Sequence, residues 1–152
     1  MKTKIDYTGT SGIVIEAVQK ANDMLNNDFF HSKLSEKQSF DESNANGKII
    51  SELIKNSSIL ARIETYKSTW PWSKANAYTT PLQPDLIYLN SRKLDDYNST
   101  DLACTIIHEF IHLIDFESST YFFAHGSNYN LNKGNTAPYW IDNLAIEIMN
   151  NQ

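Results

Sequence analysis

Residues 108–112 read His108-Glu109-Phe110-Ile111-His112, two imidazoles four positions apart with a carboxylate beside the first. On an α-helix, residues i and i+4 lie one above the other. Both rings then point to one side and can share an ion at about 2.0–2.1 Å from each nitrogen. Glu109 stands about 100° around the axis, where it can take a proton from a metal-activated water without occupying a coordination position. The four histidines and eight glutamates of the chain would produce this pattern in a shuffled sequence with a probability of about 0.005, so chance is a weak explanation. Catalytic zinc takes three protein ligands and leaves a fourth position for water, so two histidines require another donor. His125, thirteen residues after His112, is the first candidate, because Gly126 beside it lets a loop turn back toward the helix. Glu147, Asp142 and Asp115 are the alternatives; Asp115 shares the ligand face, where a carboxylate more often orients an imidazole. His31, in a polar stretch, reads as a surface residue.

These groups need a helix and a scaffold to hold them. Residues 100–116 carry the strongest helical pattern, with Ser99, Thr100 and Asp101 as caps and an early carboxylate. Opposite the histidines lie Ala103, Ile106, Ile107, Phe110, Ile111 and Ile114, an apolar surface expected to bury against a sheet. A first amphipathic helix is expected over 12–25, behind a Ser11 cap, and a last over 139–149, behind Thr136-Ala137-Pro138. The polar stretch 31–47 reads as a loop, and 48–55 as a short helix. Residues 59–66 alternate as a strand should, and 76–80 and 85–90 give two more, separated by Pro81 and Pro84. The expectation is an α+β domain: a small mixed sheet packed on an active-site helix, with N- and C-terminal helices.

On the residues 108–112 the chain resembles the zincin metallopeptidases, in which such a helix binds catalytic zinc, and the order of elements over roughly residues 59–147 looks like the zincin plan. The resemblance implies one zincin-like domain over residues 1–152 and a zinc endopeptidase, with His108, His112 and His125 on Zn2+ and Glu109 as general base. It also implies an edge strand that binds extended substrate, for which 85–90 is the candidate by position. Within the family the chain is similar to the metzincin branch, although Asp115 stands at that branch's glycine and the spacing to the third histidine is longer by seven, as if 117–123 were inserted. The gluzincin branch instead takes a glutamate from a following helix, which would be Glu147. A phenol can assist at the oxyanion, with Tyr139 and Tyr129 as candidates, although Tyr139-Trp140 first reads as core. Met149 also reads as core, and Cys104 as a buried inert thiol.

The rest of the chain sets limits. One domain's length, 152 residues with 41% hydrophobic, supplies one core, and no window is apolar enough to span a bilayer. A net charge of -5 with scattered basic residues gives no footprint for nucleic acid. The expected partner is a peptide or protein substrate, met by a monomer. The single Cys104 cannot form an internal disulfide, so packing or a metal must stabilise the fold. No apolar leader follows Met1, so the protein stays where it is made or is a mature exported form. Trp70-Pro71-Trp72 is a candidate recognition surface, and Asp95 and Asp96 read as a solvated turn. Two rivals accompany the peptidase reading: a non-proteolytic zinc protein with a zincin-like fold, favoured by a closed four-ligand site including Asp115, and a protease toxin or effector of narrow specificity.

Overall fold

The computed structural model describes residues 1–69, 76–126 and 133–152; Trp70-Pro71-Trp72 and Tyr129 lie outside the described residues. A two-residue strand β1 (Ile5–Asp6) precedes helix α1 (Gly12–Leu25), whose Val14, Ala17, Ala21 and Leu25 are buried at the expected spacing. Ser11 stands at the N-cap with extended backbone, but its side chain makes no cap bond. Asn22 ties the two elements together: its Oδ1 accepts from the Lys4 and Ile5 amides at 2.8 and 3.0 Å, and its Nδ2 donates to the Ile5 carbonyl at 2.8 Å.

The stretch expected to be a loop from residue 31 begins instead inside a helix, α2 (Asp28–Ser35), capped by Asn27, whose side chain accepts from the Phe30 amide. Phe30 and Leu34, one turn apart, supply its whole apolar anchor and are fully buried. His31 is correspondingly a core residue, 3% exposed, and not a surface one. Its Nε2 lies 2.9 Å from the Leu25 carbonyl and its Nδ1 2.8 Å from Ser51 Oγ. A carbonyl can only accept, so Nε2 carries the hydrogen and Nδ1 takes the hydroxyl's. Burial pushes the His31 pKa down and favours this neutral form.

Helix α3 (Gly47–Asn56) leads to β2 (Ala61–Tyr66), β3 (Ala77–Thr80) and β4 (Gln83–Asn90). The sheet order is β1-β2-β4-β3, parallel except for β3, which runs antiparallel to β4. The expected assignment of 85–90 as the edge is therefore corrected: β4 is an inner strand and β3 is the edge. Leu86 through Asn90 pair with Arg62 through Tyr66 on one side, while a tight turn returns β3 to the other. Leu86, Ile87 and Leu89 are buried, as in a strand flanked on both sides. Pro84 precedes the first β2 partner, so its missing N–H removes no bond from that ladder.

After a 3-10 turn (Ser91–Asp96), in which Asp95 and Asp96 are exposed, comes α4 (Ser99–Glu117). Its cap is Asn98, one residue before the expected group, with Oδ1 accepting from the Asp101 amide at 2.8 Å. Ser99 and Thr100 are thereby free to receive Lys20 of α1 at 2.7 and 3.1 Å. The apolar side of α4 is buried, against α1 and α5 (Ala137–Asn150) as well as against β3 and β4. All these elements share one hydrophobic core, and no helix among the described residues is long and apolar enough to cross a membrane.

Candidate metal centre

α4 presents His108 and His112 on one side, and the segment that follows it returns a third imidazole to them. His125 Nε2 lies 3.1 Å from His108 Nε2 and 3.0 Å from His112 Nε2. Among the described residues, these three histidines alone form a group able to hold a metal ion. The turn that aims His125 includes Gly126 at φ +63°, in the left-handed region where a Cβ would be strained. Before it, the Phe123 amide donates to Asp115 Oδ1 at 2.7 Å, and the Phe123 ring is fully buried. The segment between His112 and His125 is thus fastened to α4 itself.

The hydrogen positions make the arrangement informative. His108 Nδ1 lies 2.8 Å from Asp142 Oδ2 and His125 Nδ1 2.7 Å from the Gly126 carbonyl. Both partners accept, so both Nδ1 atoms carry hydrogens, and in the neutral rings both Nε2 atoms present lone pairs. Two lone pairs 3.1 Å apart repel unless something electrophilic stands between them. A proton on His125 or His112 is disfavoured: burial lowers the His125 pKa, and burial followed by the charges of His108 and His125 brings that of His112 down to about 3. A cation suits the donor set better. Bonds of 2.0–2.1 Å in tetrahedral geometry separate ligand nitrogens by about 3.3–3.4 Å, within a few tenths of an ångström of the separations here.

The alternative ligands have other duties. Asp142, on α5, holds His108 in the tautomer that frees Nε2, as carboxylates behind metal-binding imidazoles do. Asp115 spends an oxygen on Phe123. Glu147 is exposed, lining a groove between α2 and α5 with Phe29 and Lys33. Met149 packs against the core, in keeping with its sequence reading, and burial pushes the Cys104 thiol up to about 12, which leaves it inert.

Glu109 is 9% exposed, and its Oε2 accepts from the Thr79 hydroxyl at 3.1 Å. Burial pushes its pKa up; the neighbouring His108 and the Thr79 hydrogen bond pull it back. Thr79 is the position where the β3–β4 register shifts between Tyr78 and Thr80, an irregularity that re-aims a side chain on an edge strand. Tyr139 lies with its ring 4.5 Å from that of His108 and 4.9 Å from that of His125. Burial raises its pKa, so the phenol stays protonated. A polar recess of about 260 Å³ opens here, lined by Ala77, Thr105, Glu109 and Tyr139 among others. A larger apolar concavity of about 650 Å³, between α3 and the end of α4, contains none of these groups.

Thr79 escaped the sequence reading because its role depends on a register shift that no motif encodes. Asn44 escaped it too, although it bonds the segment preceding His125; its partners lie more than seventy positions away, and only the abundance of asparagine in the polar stretch hinted at side chains that bind backbone. Comparison with protein-family models, with curated proteins and with solved structures finds no match for this chain.

Proposed function

We propose that the protein is a zinc-dependent metallopeptidase of zincin type, hydrolysing peptide bonds in a peptide or protein substrate. The observation that carries this reading is the convergence of three imidazole nitrogens, two of them held as lone-pair donors, beside a buried carboxylate that is not itself one of them. Zinc bound by His108, His112 and His125 would supply Lewis acidity toward the scissile carbonyl and toward water.

The chain's own residues provide the remaining steps. Glu109, whose pKa burial raises, accepts the proton of the attacking water and returns it to the departing amine. Thr79 fixes which carboxylate oxygen faces β3. Tyr139, protonated, with its ring edge-on to that of His108 and tilted against that of His125, donates to the oxyanion as it forms. The outer edge of β3, unpaired among the described residues, offers extended backbone on which a substrate strand can align. A closed site with four protein ligands, the mark of a purely structural zinc protein, is not favoured, because Asp115 is engaged elsewhere.

Hydrolysis of a peptide library by the zinc-loaded protein, analysed by mass spectrometry, tests the reading. Glu109→Gln should retain zinc and fold and lose about 10²–10⁴-fold in turnover. Undiminished hydrolysis by the purified variant would remove Glu109 from the mechanism.

A further inference from the structure

The polar segment 36–46 makes its long-range bonds to the two ends of the stretch that carries His125. At one end Asn44 acts as a three-point clasp on the chain just before that histidine. Its main-chain N–H donates to the Phe122 carbonyl at 3.1 Å, its Oδ1 accepts from the Phe122 amide at 2.8 Å, and its Nδ2 donates to the Thr120 carbonyl at 3.2 Å. At the other end the Asp41 amide donates to the Asn135 carbonyl at 3.0 Å and Asp41 Oδ1 accepts from Asn135 Nδ2 at 3.0 Å. Lys37 Nζ adds a bond to Asn135 Oδ1 at 2.7 Å. Asp41 also forms a parallel bridge with Thr136, the N-cap of α5, the helix that carries Tyr139 and Asp142.

A ligand thirteen residues along the chain from its neighbour would, on a free loop, have to be ordered each time a metal bound, and that ordering would weaken affinity. Here Asn44 on one side and Asp115 on the other hold residues 120–123 beforehand, and His125 emerges two residues later. We infer that Asn44 is a positioning residue for the metal centre: from a segment remote in sequence it holds the His125 Nε2 within reach of the two α4 histidines, and so sets the affinity for zinc. The inference rests on the reading that these three histidines bind a metal ion.

The test compares metal-free wild type, Asn44→Ala and Asn44→Asp. Zinc affinity is measured by competition with a chromogenic chelator, cobalt(II) absorption reports the coordination, and circular dichroism with thermal melting of the metal-free forms reports the fold. Asn44→Ala should bind zinc about 10–100-fold more weakly, the range expected when a group that orients a metal ligand is lost, and its cobalt bands should weaken as water replaces His125. Asn44→Asp, which keeps the acceptor for the Phe122 amide, should recover most of the affinity. Should Asn44→Ala not fold, Asn44→Ser, with a shorter reach, gives the same comparison. Wild-type zinc affinity in a folded Asn44→Ala or Asn44→Ser overturns the inference and leaves the metal centre standing. A wild type that binds no zinc overturns the metal centre and the inference with it.

Discussion

At the scale of single residues, helical periodicity alone placed His108, Glu109 and His112 in the sequence, because residues four apart on a helix must share a side. His125 was legible through Gly126, whose φ of +63° is the conformation glycine permits. What one chain's pattern could not reveal is how each group is held. Asp142 read as a possible ligand, yet its contact with His108 Nδ1 makes it the group that fixes a tautomer. His31 looked exposed because its neighbours in sequence are polar, whereas its neighbours in space are Ser51 and the Leu25 carbonyl. Thr79 yields the sharpest prediction at this scale. Its hydroxyl lowers the pKa of Glu109, and in the proposed mechanism a general base acts only when ionised. Thr79→Val should therefore move the acidic limb of the kcat/KM profile to higher pH, with Thr79→Ser restoring it; a profile that does not move would show that Thr79 leaves the base untouched.

At the scale of elements, α1, α3, α4, α5 and the three longer strands follow the expected segments within a few residues, since the helices carry apolar periods of their own, β2 alternates, and Pro81 marks the turn between β3 and β4. α2 was hidden because eight residues offer only Phe30, His31 and Leu34 to the core, too few to set a period. Its packing explains why it forms at all. α3 starts directly against it, with the Gly47 amide bonded to the Lys37 carbonyl at 2.8 Å. A Cβ on Gly47 would stand 1.9 Å from the Leu34 carbonyl oxygen, so only glycine admits this approach. Leu34→Ala should then cost about 2–5 kcal/mol, read as a shift of the denaturation midpoint; a loss under about 0.5 kcal/mol would mean that α2 is not anchored through this side chain. Sheet order was similarly out of reach of pattern. The short turn between β3 and β4 makes β3 the edge, and that edge delivers Thr79 to Glu109.

At the scale of the whole molecule, buried imidazoles couple stability to pH. Burial lowers the pKa values of His31, His112 and His125 beneath the ordinary imidazole value of about 6.5. As pH falls below that value the unfolded chain takes up protons that the folded one refuses, so stability declines toward acid. Glu109 and Asp115, whose carboxyls burial raises, oppose the trend only closer to the carboxylate range. The metal-free protein should lose about 1–2 kcal/mol in chemical denaturation between about pH 7.5 and about pH 6. Stability that stays flat or rises over that interval would mean that these rings titrate as they do in water. Bound zinc should add stability by mass action, because the unfolded chain does not hold the three histidines together. The most direct test of the metal centre is therefore elemental analysis of zinc per chain after dialysis, with wild type and His125→Ala side by side. One zinc per wild-type chain and clearly less in the variant is the predicted result; a folded wild type that takes up no zinc even when it is added back would contradict the account.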